Sequence, residues 1–294
     1  MTEAATEQFL AHRNLLFTVA YEILGSAADA EDVLQETWLR WSKVDLSTVE
    51  EPRAYLVRIA ARLALNRLRT LSRRKETYTG SWLPEPVLTV PDVAEDVELA
   101  ESVSMALLLV LETLSATERV VFVLHEVFAV PLTEIAEALQ KTPAAVRQTA
   151  RRARRHVQAR RPRQESSPAQ ARAVVEAFNE ALMTGDLDAL RAALAPDVVY
   201  VADGGGVRTA ARHPVVGADV VHKLLQGAIR IAGGQFATAV ATVNGGPGLL
   251  VHLRGTFDGV IAVSVTGGLV DGLYYVRNPA KLTGLAREVP LVRR

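Results

Sequence analysis

Arginine side chains dominate one short segment of this sequence, Lys141 to Arg163, which holds nine Lys or Arg residues and no Asp or Glu. Guanidinium groups bond pairwise to phosphates and to guanine edges, so this segment is suited to nucleic acid. A second acid-free segment, Arg53 to Lys75, holds eight basic residues, although the whole chain has 33 basic and 33 acidic ones. We expect two nucleic-acid-binding surfaces; solvated helix exteriors are the plainer alternative.

Helical periodicity places the first of these segments in a helix-turn-helix. Apolar spacing predicts a short helix in LTEIAEAL, residues 132–139, and a turn follows at Gln140-Lys141. Thr142 offers an N-cap oxygen and Pro143 suits the first position of a longer helix, which would enter the major groove. The alternative is a packing helix with a charged exterior. The residues predicted to contact DNA are Thr142, Arg147, Gln148, Arg151, Arg152, Arg154 and Arg155.

An acidic helix precedes the second basic segment. In AEDVLQETWLRW, residues 30–41, the apolar side chains share one helical face and the opposite face is polar and mostly acidic. The polar face comprises Asp32, Gln35, Glu36 and Arg40. The basic helix that follows directs its polar residues mostly away from its apolar side; these are Arg58, Arg62, Asn66, Arg67 and Arg69. This pairing suggests a protein partner on one surface and nucleic acid on the other.

Between the two basic segments lies TGSWLPEPVL, residues 79–88, which is too rich in proline to be helical. Trp82, Leu83 and Pro84 are too apolar for a mere spacer, because exposed apolar clusters are costly. We expect them to pack on the C-terminal part of the chain; packing on their own helical domain is the alternative.

The pattern changes beyond residue 168. AQARAVVEAFNEALMTGDLDALRAAL predicts a long helix, a break at Gly185-Asp186 and a short helix. APDVVYVADGGG predicts a strand ending in three glycines, and a further helix and three or four strands joined by Gly turns follow. Helices combined with a curled antiparallel sheet indicate an α+β domain.

Several functions are not supported by the residues present. The chain contains no cysteine, which removes disulfides and thiolate metal sites, and we expect no metal or cofactor. It shows no long apolar run or secretory leader, so we expect no membrane contact and a cytoplasmic location. The polar candidates for catalysis define no acid-base pair by their spacing, and no enzymatic activity is expected. They are Asp203, His222, His252, Asp258 and Tyr274.

Three segments within residues 8–160 carry a family resemblance: AEDVLQETWLRW, PRAYLVRIAARLALNRLR and LSATERVVFVLHEVFAVPLTEIAEALQKTPAAVRQTARRAR. They resemble regions 2 and 4 of extracytoplasmic-function sigma factors. The resemblance implies that the first helical domain docks on the β′ clamp helices of core RNA polymerase, through the polar face of the acidic helix, and that the β flap is a further polymerase contact. It also implies promoter contacts: the −10 element by the basic residues of the second helix, where Asn66 replaces a frequent Asp, and the −35 element by the helix-turn-helix.

The C-terminal part is similar to SnoaL-like domains, a branch of the cone-shaped folds related to nuclear transport factor 2. Sigma factors with this fused domain share WLPEP, DGGG and NPAKL, found here from Trp82, Asp203 and Asn278, although Val207 and Ala280 depart from the group's charged residues. The resemblance implies an interdomain regulatory contact and a pocket for a possible small-molecule ligand. The contact residues are Trp82, Leu83, Pro84, Asp203, Gly204, Gly205, Gly206, Asn278, Pro279, Lys281 and Leu282.

The expected fold is therefore multidomain: two all-α sigma domains, a region 2 helical bundle and a region 4 helix-turn-helix, plus a C-terminal α+β domain. The expected boundaries are 1–76 for region 2, 77–96 for the linker, 97–163 for region 4 and 168–294 for the regulatory domain. Two rival functions are a helix-turn-helix regulator that never binds polymerase and a SnoaL-type enzyme with a DNA-binding appendage. The first rival leaves the acidic helix unexplained.

Overall fold

The structure, a computed structural model, describes residues 3–75, 77–90, 97–160, 166–286 and 288–293. The end of the expected linker, residues 91–96, and the end of the expected region 4 domain, residues 161–163, lie outside them. Contacts divide the chain into two compact units. The first comprises Met1–Glu76, Leu108–Arg161 and Pro290–Arg294, and the second comprises Thr77–Leu107 and Pro162–Val289. The expected regions 2 and 4 thus fall largely in one unit, and the linker groups with the C-terminal domain.

The first unit is helical. Its helices are α1 (Glu3–Leu24), α2 (Ala27–Trp41), α3 (Pro52–Lys75), the end of α5 (Met105–Glu112), α6 (Ala116–Phe122), α7 (Leu132–Leu139) and α8 (Pro143–Gln158). A 3-10 turn covers Leu46–Thr48 and a π-helical turn, Val123–Val127, extends α6. None of the described helices has the length and hydropathy needed to cross a membrane.

Buried apolar side chains hold α1, α2 and α3 together. Leu16, Val19 and Ala20 of α1 are fully buried, and Trp41 at the end of α2 donates its indole N–H to the Ala5 carbonyl at 2.8 Å. The apolar side of α3 includes small residues, since alanines such as Ala60 and Ala64 are fully buried. Close packing around small residues explains how a helix this basic can still contribute to a core.

The second unit contains the linker and the α+β domain. Its elements up to residue 192 are β1 (Leu88–Thr89), α4 (Val97–Val103), the start of α5, α9 (Pro168–Thr184) and α10 (Leu187–Ala192). The remaining elements are β2 (Leu194–Asp203), β3 (Val215–Val216), α11 (Ala218–Ala232), β4 (Phe236–Val243), β5 (Gly246–Leu253), β6 (Thr256–Thr266), β7 (Leu269–Val276) and β8 (Glu288–Val289). Two 3-10 turns, Pro279–Lys281 and Thr283–Ala286, lie between β7 and β8.

These strands form one sheet in the order β3-β2-β7-β6-β5-β4-β1-β8. The four strands from β4 to β7 pair as an antiparallel meander, whereas β2 runs parallel to β7. The linker strand β1 pairs with β4 through Leu88 and Val243. Helices α9 and α11 contribute Phe178, Val175 and Val221 to a core against the sheet. The predicted α+β architecture of helices on a sheet is confirmed, although the sheet is mixed because β2 and β8 each run parallel to a neighbouring strand.

Candidate nucleic-acid interface and linker-binding site

The helix-turn-helix forms because three local signals agree. Gln140 ends α7 with a left-handed φ of 53°, which turns the chain sharply. The Thr142 hydroxyl then accepts the Ala145 N–H at 3.3 Å and caps α8, and Pro143 occupies the first helical turn. Val146 and Ala153 bury the inner stripe of α8. The opposite face of α8 is therefore held outward by a well-defined helix.

The arginines of α8 divide into two classes. Arg152 pairs with Glu118 at 2.8 Å and Arg154 pairs with Glu126 at 2.7 Å, so both guanidiniums are engaged with α6 and its π-helical extension. The remaining predicted DNA-contacting side chains are exposed and make no polar contact within the described part of the chain; these are Arg147, Gln148, Arg151 and Arg155. These four side chains can meet an external partner without breaking an internal pair.

The polar face of α2 and the basic face of α3 meet at one residue. Arg67 donates to Asp29 and to Asp32, each at 2.7 Å, and the bond to Asp29 is the main cause of its raised pKa. Asp32, Gln35, Glu36 and Arg40 are all exposed on α2, and Arg40 lies 3.5 Å from Glu36. Arg67, predicted to contact promoter DNA, is thus hydrogen-bonded to Asp32, predicted to face the polymerase.

The other predicted −10 contacts lie along the exposed side of α3. Arg58 stacks over the Tyr55 ring at 5.0 Å and lies 3.8 Å from Glu137 of α7. Arg62, Asn66 and Arg69 are exposed on successive turns. This row of side chains runs along one helix and leaves a continuous polar surface.

In the second unit, the carboxylate of Asp203 is the centre of the linker-binding site. Its side chain is fully buried and accepts four hydrogen bonds: from the Tyr78 hydroxyl, the Leu83 and Gly205 N–H groups and the Lys281 ammonium. The Lys281–Asp203 pair spans 2.7 Å, with both side chains at most 5% exposed. Four donors, one of them a cation, offset the cost of burying this carboxylate.

Lys281 also fixes the linker by a second route. Its ammonium donates to the Leu83 carbonyl at 2.5 Å and lies 3.1 Å from the centroid of the Trp82 ring. Tyr78 meets Trp82 edge to face, with ring centroids 4.7 Å apart. Leu83 and Pro84 are buried. The linker therefore packs on the C-terminal domain through an aromatic pair closed over one cation.

The glycines of DGGG are required by close backbone approach. A side chain on Gly205, whose φ is +63°, would meet the Asn278 amide at 2.4 Å, and one on Gly204 would meet the Arg208 carbonyl. The Asn278 amide donates to the Tyr78 hydroxyl at 2.7 Å and its oxygen accepts the Ala280 N–H. Of the remaining predicted contact residues, Gly206 and Pro279 are exposed and Leu282 is half-buried.

A further contact was missing from the prediction. Asn244 in the turn between β4 and β5 accepts the Val87 N–H at 3.3 Å and donates to the Val103 carbonyl at 3.0 Å. A side chain on the next residue, Gly245, would meet Ala100 at 2.6 Å. This hairpin turn thus holds the linker and helix α4 at the same place.

Four of the five residues considered for catalysis have separate structural roles, and the fifth, Tyr274, is half-buried on β7. Asp203 holds the linker, His222 bonds to the Leu187 carbonyl at 3.0 Å, and His252 contacts Phe257 edge to face. Asp258 is enclosed by its own ion pair, since Arg277 binds both of its oxygens. No group of His, Asp and Glu in the described residues is arranged to hold a metal.

Comparison with known proteins supplies the family. The Sigma-70 region 2 model matches residues 9–74, the Sigma-70 region 4 model matches residues 104–157, and the SnoaL-like domain model matches residues 175–273. The chain is 40% identical over 290 residues to the ECF RNA polymerase sigma factor SigJ of Mycobacterium tuberculosis, covering 94% of this chain and 93% of that protein. It belongs to the ECF sigma factors.

Other comparisons agree with this assignment. A probable ECF sigma factor of M. tuberculosis, SigI, is 33% identical over 283 residues, covering 95% of each chain. The crystal structure of M. tuberculosis SigJ superposes with a TM-score of 0.79 at 38% identity, covering 96% of this chain and 99% of that one. The predicted family, fold class and sigma-factor function are confirmed. In this ECF sigma factor, α2 and α3 belong to region 2, α6 to α8 to region 4, and the linker-binding domain is the SnoaL-like part.

Tyr78 and Asn244 are the site residues that sequence reasoning missed in this sigma factor. Tyr78 lies one residue before the TGSWLPEPVL segment and is a second aromatic residue close to Trp82 in the sequence. Asn244 precedes a glycine between two predicted strands, which is the signal of a tight hairpin turn. That signal indicates the turn, but the partners of the amide come from segments 141 and 157 residues away.

Proposed function

We propose that this sigma factor binds core RNA polymerase through the polar face of α2, contacts the −10 element through α3 and reads the −35 element with α8. The β′ clamp helices and the β flap are the expected polymerase contacts, and the cytoplasm is the expected location because transcription occurs there. The four side chains on α8 without an internal partner among the described residues, Arg147, Gln148, Arg151 and Arg155, are the observation that carries the proposal. Major-groove readout needs exposed Arg and Gln side chains on a helix of fixed direction.

Promoter-dependent run-off transcription with purified core polymerase tests the proposal. We expect a transcript from a template with the cognate −35 and −10 elements, none from a template with both elements scrambled, and none from core alone. Binding of promoter DNA without core at full affinity, together with no run-off product, would instead favour the polymerase-independent regulator.

We propose that the SnoaL-like domain regulates the sigma factor through the linker and has no catalytic role. The linker joins the two promoter-binding regions, and its aromatic pair is closed over Lys281. A small molecule or protein that prefers one state of this site would shift the population between held and released linker, in proportion to its differential affinity. The enzyme alternative lacks support, because four of the five polar candidates, Asp203, His222, His252 and Asp258, have other structural roles.

Substitutions on α8 should separate base readout from phosphate contact. Arg147→Ala and Gln148→Ala are expected to weaken binding to the cognate −35 element by about 1–3 kcal/mol for each lost base contact. Arg155→Ala should lower affinity for cognate and scrambled DNA alike and flatten the dependence of affinity on salt. Fluorescence anisotropy with the two DNAs at several salt concentrations measures both effects. Equal losses on both DNAs for all three variants would contradict the assignment of α8 as the recognition helix.

Charge reversal on α2 should abolish binding to polymerase while leaving the fold intact. Glu36 is 57% exposed and lies off the apolar stripe, so Glu36→Arg costs little stability but places like charges across an interface. Glu176→Arg is the matched control, because Glu176 is 52% exposed and also pairs with an arginine one turn away, on α9. Co-purification with core polymerase measures the effect. Retention of the Glu36→Arg chain at wild-type level would contradict the assignment of this face.

A further inference from the structure

The SnoaL-like domain contains a cavity of about 680 Å³ that lies outside the linker-binding contacts described above. This volume lies within the range of about 300–1,000 Å³ typical of small-molecule sites. Its walls are mainly apolar and come from α11 and the concave face of the sheet; they include Leu225, Ile229, Phe236, Val251 and Ile261. Such a cavity favours a ligand with an apolar body.

One end of the cavity carries a buried polar cluster. Asp258 is 4% exposed and accepts the Tyr275 hydroxyl at 2.5 Å and two N–H groups of Arg277 at 2.7 and 2.9 Å. A third N–H group of Arg277 donates to the Thr209 carbonyl. Although burial opposes ionisation, the bonds from Arg277 and Tyr275 outweigh it and lower the pKa of Asp258. Asp258 is therefore an ionised carboxylate in the cavity wall, and the Arg277 guanidinium balances its charge.

Tyr200 is the polar group in this end that lacks a partner. Its side chain lines the cavity and is 8% exposed, and its hydroxyl forms no hydrogen bond with any described residue. Burial raises the pKa of Tyr200 to about 12, so the hydroxyl is protonated at neutral pH and can donate. A buried phenol of this kind gains most from a ligand that supplies an acceptor.

The charges around the cavity specify the sign of that acceptor. Arg208, Arg254 and Arg277 line it together with one acidic residue, Asp258, and the Arg277 charge is matched by that carboxylate. Arg208 and Arg254 are exposed and remain as an excess of positive charge. We propose that the cavity binds an apolar carboxylic acid, whose carboxylate accepts the Tyr200 hydroxyl and pairs with Arg208 while its tail lies along α11.

Backbone hydrogen bonds connect the polar end of the cavity to the linker-binding site. The N–H groups of Arg277 and Asn278 both donate to the Asp203 carbonyl, at 2.7 and 2.9 Å, and the Arg208 N–H donates to the Gly204 carbonyl at 2.9 Å. Residues that face the ligand are therefore neighbours in sequence of those that hold Tyr78 and Lys281. Binding of the acid changes the stability of the linker contact, a consequence that rests on the proposed regulatory role of the domain.

Calorimetric titration of the full chain with decanoate tests the site directly. Decanol and decylamine are the controls, because they present a similar apolar tail with a neutral or a cationic head. We expect decanoate to bind about ten-fold or more tightly than either control, as a hydrogen bond to a charged group and an ion pair are added. Absence of decanoate binding, or equal binding of decanol or decylamine, overturns the proposal.

Two Tyr→Phe variants locate the head group. Tyr200→Phe removes the unpartnered donor without breaking an internal bond and is expected to weaken decanoate binding about ten-fold or more. Tyr274→Phe is the matched control, because Tyr274 is a second tyrosine of the domain whose pKa burial raises to about 12, and it does not line the cavity. An unchanged affinity for Tyr200→Phe, or the same loss in both variants, overturns the assignment of the head-group site.

Hydrogen exchange of residues 78–89 with and without saturating decanoate tests the link to the linker. We expect the Leu83 N–H, which donates to Asp203, to change its protection. Unchanged exchange throughout this segment, with decanoate bound, overturns the link. Neither measurement requires polymerase, so a failure here is distinguishable from a failure of the sigma factor in run-off transcription.

Discussion

Replacing Lys281 with methionine is expected to release the linker from the SnoaL-like domain. The substitution keeps most of the apolar stem but leaves the Asp203 carboxylate buried without a counter-ion and removes the cation from the Trp82 ring. Loss of one partner of a buried ion pair costs about 3–5 kcal/mol. Because Leu83 and Trp82 both contact this ion pair, we expect the loss to appear as faster hydrogen exchange at the Leu83 N–H and as solvent exposure of Trp82.

The double variant Asp203→Asn/Lys281→Met decides whether the pair acts as a unit. We expect each single change to release the linker, and the two together to cost less than their sum, because the second change removes a charge already left unpaired. Lys223→Met on the exposed face of α11 is the control for loss of a lysine and should leave exchange at Leu83 unchanged. Additive losses, or a protected Leu83 N–H in the Lys281→Met chain, would contradict the role given to the pair.

Run-off transcription by these variants reports the direction of regulation. If the held linker restrains the sigma factor, Lys281→Met raises the transcript yield, and if the held linker is the active state, it lowers the yield. An unchanged yield from a chain whose linker is released would contradict regulation through this site.

Replacing Arg119 with methionine is expected to destabilise the helical unit by about 3–5 kcal/mol, because a buried carbonyl and a half-buried carboxylate lose their donor. Arg119 of α6 is 1% exposed; it donates twice to the Glu22 carbonyl at the end of α1, at 3.2 and 3.0 Å, and once to Glu112 at 2.6 Å. One guanidinium thereby connects region 4 to region 2. Chemical denaturation followed by circular dichroism measures the loss.

Arg154→Met is the control for the Arg119 substitution. Arg154 also pairs with a glutamate in region 4, but its side chain is 52% exposed, and surface pairs contribute only about 0–1 kcal/mol. A denaturation midpoint shifted equally by both substitutions would show that the buried geometry of Arg119 carries no special weight.

The sequence predicted most elements of this fold because the local signals agree with the tertiary structure. Thr142 and Pro143 define the start of α8, and the break at Gly185-Asp186 separates α9 from α10. What it could not supply were partners far apart in the chain. Arg119 is the single Lys or Arg between Glu76 and Glu126, and the composition of this segment does not show what it binds. Its role in stability depends on its hydrogen bonds to the Glu22 carbonyl, which is far away in the sequence.

The same limit applies to the arginines of α8 and α3. Periodicity places Arg152, Arg154 and Arg67 on outward faces, as observed, but it cannot show which of them already hold an internal carboxylate. Arginines at equivalent helical positions therefore differ in whether their guanidinium is available to bind DNA.

The hairpin turn at Asn244 has a consequence for chain entropy. Its amide bonds at once to Val87 and Val103, so one side chain closes a loop of the 15 residues from 88 to 102. Closing a loop of this length costs about 2 kcal/mol of chain entropy, and that cost is returned when either end lets go. The first of the two bonds to break therefore recovers the loop entropy, whereas the remaining bond bears no loop cost. We expect the linker and α4 to detach from the Asn244 side chain one after the other rather than in a single step.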